Sequence, residues 1–501
     1  MEMGHRLLML TTNETIVKTP FGALRGAENE GVRAFRRVPY AVPATGERRF
    51  RLPGEPLHWD GIRDATKPGP VPPQLPSRLD AVMGVYPMVL DEDCLHLDIW
   101  SPVASDAAAP VLVFIHGGAF MTGGGSLACY DGELLARNTG CVVVNVTYRL
   151  GPLGFLSQPG FAPANLGIHD QIAALRWIGQ AIDAFGGDPK EITVCGQSAG
   201  GFSIAVLLAN PTCKGLFKRA ILMSAPLGLK LRKAEEAPPV ARGILNVLGY
   251  DPADLEPLRT IAPERFLDAM RLLQKRPIAS PVPGDVTPPF MPVIDGDLIT
   301  RDPIEAIREG ASAWCETIVG LTREEFGAFK LGNPAFAGFT MDQLRAEFCR
   351  IFGDDAKKAL ARAMNRRAPA HPGEILADLR SDEAFTVQSA EFAAAQFRHG
   401  GVSYMYQFDW QSLQPGLGAC HCIDLPFLFG NVETWREAGS ASVAGADLSE
   451  LQHLSRIFQN TLTAFARTGS PESEDLPRWP HYGENGTRLH FDRRVQAYAS
   501  I

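Results

Sequence analysis

Residues 191–210 read EITVC, GQSAG, GFSIAVLLAN, and three different physical signals follow one another along them. EITVC (191–195) is a short apolar run rich in β-branched side chains, the pattern of a strand buried on both faces. GFSIAVLLAN (201–210) reads as a helix. Between them, Gly196-Gln197-Ser198-Ala199-Gly200 matches G-x-S-x-G. The pentapeptide alone is a weak signal, but its strand–turn–helix setting is what a nucleophile elbow requires. So tight a turn leaves no room for a Cβ at either flanking glycine. It also lifts the serine hydroxyl above the sheet edge, at a helix N-terminus whose dipole favours negative charge. Ser198 is the candidate nucleophile.

Working outward, short apolar runs alternate with longer helical patterns, the signature of a largely parallel sheet flanked by helices. VLVFIH (111–116), CVVVNVTY (141–148), AILMS (220–224), TIVG (317–320) and VSYMYQF (402–408) supply further strands. Between 168 and 185 the apolar residues Ile168, Ile172, Leu175, Ile178, Ile182 and Phe185 recur at three- and four-residue steps, one face of an amphipathic helix ended by Gly186 and Gly187. The stretches 60–90 and 230–300 break the pattern with prolines and short pieces; long irregular segments in an enzyme commonly form lids or pocket walls. No repeat or linker divides the chain, so one α/β domain over 1–501 is expected.

The strand VLVFIH runs into His116-Gly117-Gly118-Ala119-Phe120. A glycine-rich loop at a strand's C-terminal end can aim backbone N–H groups at a developing oxyanion, and the N–H of Ala199 would join them. His116 itself reads as a structural hydrogen-bonding residue. In an α/β-hydrolase fold the order along the chain is serine, acid, histidine. Of the histidines after Ser198 (His371, His399, His421, His453, His481 and His490), His421 follows a strand by one loop, a setting that places a ring over the sheet edge. Glu324 and Glu325 follow the strand TIVG, and either carboxylate could orient the imidazole; spacing does not choose between them.

Composition excludes several other classes. Net charge is −8, which argues against nucleic acid as a partner. The nine cysteines lack C-x-x-C spacing and read mostly as reduced, packed side chains. Cys420-His421-Cys422 with Asp424 is a poor metal site, because adjacent positions cannot easily wrap one ion. No metal and no cofactor is expected. The apolar run at 7–10 is too short for a secretory signal, and nothing approaches the ~18 apolar residues of a membrane span. A soluble, cytoplasmic protein is expected.

The residues named so far, with FRRVPYA (35–41), RF (49–50), EDCLHLD (92–98), NVTYR (145–149), NLGIHDQ (165–171), FGGDP (185–189) and GACHCIDLPF (418–427), resemble the type-B carboxylesterases almost end to end. That family includes para-nitrobenzyl esterases, mammalian carboxylesterases and cholinesterases. Carried over position by position, the resemblance implies a triad of Ser198, Glu325 and His421, with oxyanion donors Gly118, Ala119 and Ala199. It implies a structural ion pair between Arg49 and Glu92, and at Ser224 a serine that hydrogen-bonds the triad acid. The implied activity is hydrolysis of small to medium, uncharged carboxylic esters through an acyl-enzyme. Acyl transfer, lactone or amide hydrolysis, and a non-catalytic binding role are the alternatives on such a scaffold.

This chain departs from the family pattern at four places. Phe326 stands where glycine usually follows the acid, and neutral Gln197 stands where glutamate often precedes the nucleophile. No tryptophan lies just before Glu92-Asp93-Cys94, so a cationic choline substrate lacks its stacking ring. Pro72 occupies the position of Cys94's customary partner, which leaves Cys94 free, in keeping with a reducing compartment.

Overall fold

Apolar side chains along the central strands point alternately into two layers, as the two-residue period of a strand requires. Val111, Val113 and Ile115 enter one core cluster, and their neighbours Leu112 and Phe114 enter the other. Val142, Val144 and Val146 repeat the division against Val143, and Val319 and Leu321 repeat it against Ile318. Such strands are apolar throughout because both faces are covered.

The structure, a computed structural model, describes residues 13–103, 108–236, 238–251, 254–274, 282–367, 369, 371–473 and 476–499. The apolar run at 7–10 lies outside them. In chain order the strands are β1 (Asn13–Thr19), β2 (Gly22–Asn29), β3 (Val32–Pro39), β4 (Ile62–Asp64), β5 (His96–Pro102), β6 (Ala109–Ile115), β7 (Val142–Val146) and β8 (Gly187–Gln197). They continue with β9 (Arg219–Met223), β10 (Arg232–Lys233), β11 (Val293–Ile294), β12 (Glu316–Thr322), β13 (Ser403–Phe408), β14 (Arg488–Phe491) and β15 (Gln496–Tyr498). Among the described residues one sheet has the order β1-β2-β3-β5-β7-β6-β8-β9-β12-β13-β14-β15, with β4 beside β2, and β10 and β11 pair separately.

Every pairing from β7 to β14 is parallel. The flanks, β1 to β7 on one side and β14 with β15 on the other, are antiparallel along that order. These flanks escape a reading by apolar runs, because β2 and β3 are only partly buried and carry charges on the open face. Strand β8 is longer than EITVC, since its polar ends still find ladder partners on β6 and β9. The helix expected to reach Phe185 runs Leu166–Ala181 and tightens into a 3-10 turn, Ile182–Phe185, before Gly186 at φ +85°. No helix among the described residues is long and apolar enough to cross a membrane.

One largely buried ion pair ties the 230–300 stretch to this frame, and a second, fully buried, lies within the frame. Arg49 contacts both carboxylate oxygens of Glu92 (2.6 and 2.5 Å), and its Nη1 donates to the carbonyls of Leu258 and Ile261 (both 2.7 Å). The pairing that the resemblance implies therefore also anchors part of the 230–300 stretch. Arg149 grips Asp170 through two nitrogens at 2.8 and 2.6 Å. Removing one partner of such a pair typically costs about 3–5 kcal/mol, because the other charge is left buried and alone.

Candidate active site

The loops that follow β6, β8, β12 and β13 converge at the carboxyl ends of the parallel strands, where open α/β sheets bind ligands. At the end of β8, Ser198 has φ 57° and ψ −122°, a backbone state that L-residues enter only under constraint. The constraint is visible. Its N–H donates to the Met223 carbonyl (2.8 Å), and its own carbonyl accepts from Phe202 in the helix Ala199–Ala209 (2.9 Å). A Cβ at Gly200 would lie 1.9 Å from the Ile115 carbonyl oxygen, and one at Gly196 would lie 2.6 Å from Gly200. The elbow thus needs both glycines for lack of space.

Three side chains from distant parts of the chain form a line. Ser198 Oγ lies 2.8 Å from His421 Nε2, and His421 Nδ1 lies 2.6 Å from Glu325 Oε2. Glu325 Oε1 accepts the Thr322 N–H at 2.9 Å. Glu325 and His421 are fully buried, and the rings of Phe329 and Phe385 lie 5.3 and 5.0 Å from the imidazole. The carboxylate can only accept, so the ring proton sits on Nδ1 and Nε2 is left to accept from the hydroxyl.

Neighbouring Glu324 points the other way. Its N–H donates to the Ala419 carbonyl (2.9 Å), its Oε2 accepts the Ala419 N–H (2.8 Å), and Arg323 lies 3.3 Å from its other oxygen. A β-bridge to Cys420 and the His421 N–H on the Glu325 carbonyl (3.3 Å) complete a short ladder between the two loops. Consecutive residues of a ladder face opposite sides, so one carboxylate fastens the loop and the other meets the ring. Phe326 has an ordinary φ of −77°, so glycine is not required there. Its ring is buried near Phe329, Phe336 and Phe385, and its N–H donates to Ser381 Oγ (3.1 Å).

Gly118 (φ +104°) and Ala119 (φ +56°) turn the loop after β6. A Cβ on Gly117 would lie 2.9 Å from Ser198 Cβ, so the loop rests directly against the elbow. The amides of Gly118 and Ala119 enter none of the loop hydrogen bonds among the described residues, and Ala199, as the first helical residue, has no helical acceptor for its N–H. His116 is a framework residue: its ring stacks on Tyr148 at 4.4 Å, and its Nδ1 donates to the Gly117 carbonyl (2.8 Å). Burial pushes its imidazole down to about 4, so it stays neutral.

One implied contact is corrected. Ser224 Oγ is fully buried without a hydrogen-bond partner, and so does not bind the carboxylate of Glu325. Both Glu325 oxygens are already engaged, by Thr322 and His421, and Ser224 contributes its N–H to the Gly320 carbonyl (2.8 Å) from a backbone at φ 45°.

Two further contacts near the imidazole had no signature in the sequence. Gln197 Nε2 lies 3.2 Å from His421 Nε2, and Asp424, fully buried, accepts the Tyr406 hydroxyl (2.9 Å). Burial pushes the thiols of Cys420 and Cys422 up, so neither is a thiolate beside the ring. The remaining histidines after the elbow lie elsewhere: His371 caps the helix Pro372–Ser381, His399 meets the Arg308 carbonyl, His481 meets Tyr404, His490 meets Asp409, and His453 is exposed on the helix Leu448–Thr468. No cluster of three or more metal-ligating side chains occurs among the described residues. Ser198 opens into a mostly apolar cavity of about 580 Å³, within the usual range for a small-molecule site. Residues of both irregular stretches line it, among them Leu79 and Tyr86 from the first and Met270 and Pro288 from the second.

Residues 13–500 match the model of the carboxylesterase family. The chain is 35% identical over 476 residues to the para-nitrobenzyl esterase of Bacillus subtilis (strain 168), covering 94% of this chain and 93% of that one. It is 37% identical over 474 residues to the phenmedipham hydrolase of Pseudarthrobacter oxydans, covering 93% and 92%. A solved carboxylesterase of Geobacillus stearothermophilus superposes with a TM-score of 0.85 at 36% identity, over 97% of this chain and 98% of the other.

Proposed function

The chain belongs to the carboxylesterase family and is a serine carboxylic-ester hydrolase of the α/β-hydrolase fold, and on that footing we propose that it works through a Ser198–His421–Glu325 triad on small to medium, uncharged esters. The observation that carries the assignment is the unbroken hydrogen-bonded line from Ser198 Oγ through His421 to Glu325, at 2.8 and 2.6 Å.

As Ser198 Oγ bonds to the ester carbonyl carbon, its proton passes to His421 Nε2. The carbonyl oxygen becomes an oxyanion and accepts hydrogen bonds from the N–H groups of Gly118, Ala119 and Ala199. Loss of one such donor typically costs about 10²–10³ in turnover. Glu325 holds Nδ1–H in place and stabilises the imidazolium, which then gives its proton to the departing alcohol as the ester C–O bond breaks. Water attacks the acyl-enzyme, passes a proton to Nε2 and releases the acid, and Ser198 regains its hydrogen.

The apolar lining of the cavity supports an uncharged substrate. The whole chain is read as one catalytic domain with pocket-forming insertions at 60–90 and 230–300, a reading supported by the family match over 13–500. Nine free thiols support the cytoplasm as its compartment.

The test is a pre-steady-state assay with para-nitrophenyl acetate, followed by an organophosphate label mapped by peptide mass. One equivalent of nitrophenol in a burst, and the adduct on Ser198, are expected. Turnover without a burst, or a label elsewhere, would refute the assignment. Product analysis with an added alcohol separates hydrolysis from acyl transfer, and free acid is the expected product.

A further inference from the structure

Residues 84–90, GVYPMVL, cross the rim of the cavity as a strap fastened at both ends. Gly84 (φ +96°) turns the chain after the helix Asp80–Met83, and a Cβ there would come 2.7 Å from Ala438 Cβ. Val85 N–H donates to the Ala438 carbonyl (3.0 Å). At the far end, Val71 N–H donates to the Val89 carbonyl (2.8 Å) and Asp91 N–H to the Val71 carbonyl (3.0 Å). In the middle, Tyr86 is buried, with its hydroxyl on the Met83 carbonyl (2.9 Å) and its ring edge-on to Trp435.

A backbone held this firmly nevertheless presents large apolar side chains to water. Val85, Met88, Val89 and Leu90 are 66%, 44%, 72% and 43% exposed. Single exposed apolar residues are ordinary, whereas four within six positions make a patch, and patches mark binding surfaces. Three of the four, Val85, Met88 and Leu90, also line the cavity that contains Ser198; Val89 does not. Deeper in, Met83, Met121 and Leu127 continue the same apolar wall. The exposed strip is therefore the outer end of the substrate cavity. That continuity favours a group tethered to the reacting ester over a second protein or a lipid surface.

We propose that Val85, Met88 and Leu90 form an outer subsite for the apolar tail of the substrate, an alkyl chain that extends from the reacting carbonyl out to the rim. The proposal rests on the ester-hydrolase reading and narrows its substrate class to esters with an extended apolar acyl or alcohol group. Lengthening the tail should raise kcat/KM by up to about fourfold for each methylene that the wall covers.

Two substrate series test this, at concentrations below micelle formation: para-nitrophenyl esters from acetate to decanoate, and alkyl butyrates from methyl to octyl. The readout is the ratio of long-chain to short-chain kcat/KM. The Met88→Ser/Leu90→Ser double variant should lower that ratio by about tenfold or more in one series, mainly through KM, and the series affected identifies which side of the ester the strap holds. Val89→Ser should leave the ratio at its wild-type value. An unchanged ratio in the double variant in both series overturns the proposal. So does an equal loss in Val89→Ser, which would make the patch a surface for a second copy or a lipid. Thermal melting of each variant checks the fold. Absence of turnover of the acetate ester by the unmodified protein would instead defeat the ester-hydrolase reading on which the subsite depends.

Discussion

Gln197 Nε2 lies 3.2 Å from His421 Nε2, the same ring nitrogen that faces Ser198 Oγ at 2.8 Å. The residue before the proposed nucleophile therefore touches the proposed base, and its neutrality has a consequence. A carboxylate at this distance would favour the imidazolium, whereas catalysis needs Nε2 free of a proton. Gln197→Glu should move the acidic limb of the kcat/KM profile to higher pH, with activity lost first on the acid side. A pH–rate profile of the variant checks this, and a coincident profile would show that the contact has no electrostatic effect on the base.

The two adjacent glutamates make a clean comparison. Glu325→Gln keeps the shape but removes the charge that stabilises the imidazolium, and kcat should fall by roughly 10⁴. Glu324→Gln keeps an oxygen for the Ala419 N–H and loses the Arg323 contact, so turnover should stay within about tenfold, as expected for a side chain outside the transition state. Steady-state kinetics on both variants decide it. The reverse order of losses would move the acid to Glu324.

Ser224 gives a test of the corrected contact. Its buried hydroxyl has no partner, so Ser224→Ala removes an unsatisfied polar group. The melting temperature should hold or rise, equivalent to about 1 kcal/mol at most, and kcat/KM should be nearly unaffected. A large loss of kcat would restore Ser224 as a support of the proposed acid, Glu325.

Asp424 predicts a pH dependence of stability. Burial, with the Glu325 charge second, raises its carboxyl to about 7. In the unfolded chain the same group titrates near 4. Between those values the folded state holds the extra proton, so stability falls as pH rises through that window. Asp424→Asn removes this titration. Its melting temperature relative to the unmodified protein should therefore climb from pH 5 to pH 8, and a constant difference would contradict the expectation.

What could be read without coordinates was whatever is local. The alternation of apolar runs and helical periods reports the two-sided burial of β6, β7 and β8, because each strand's own side chains must satisfy both layers. The elbow was legible at Gly196-Gln197-Ser198-Ala199-Gly200, since a turn that admits no Cβ selects its residues at fixed spacing. The place of His421, one loop after a strand, was legible too, and the structure sets its ring 2.8 Å from Ser198 Oγ. Glu325 over Glu324 rested on family resemblance alone, and the physical choice lies in the ladder between Glu324 and Cys420, which sets the facing of each side chain across 96 positions of chain.

The Gln197 contact, the Asp424–Tyr406 pair and the solitary Ser224 hydroxyl had no local signal at all. Each depends on which atoms lie beside it after several strands have paired, and hydrogen bonding and burial are properties of that packed neighbourhood. Local sequence patterns determined the sheet's core and the sharp turn at its candidate catalytic corner, because those patterns are imposed residue by residue along the chain. The tertiary structure decided which carboxylate meets the imidazole, what surrounds it and how the cavity reaches the surface, because those follow from contacts between segments far apart in the chain.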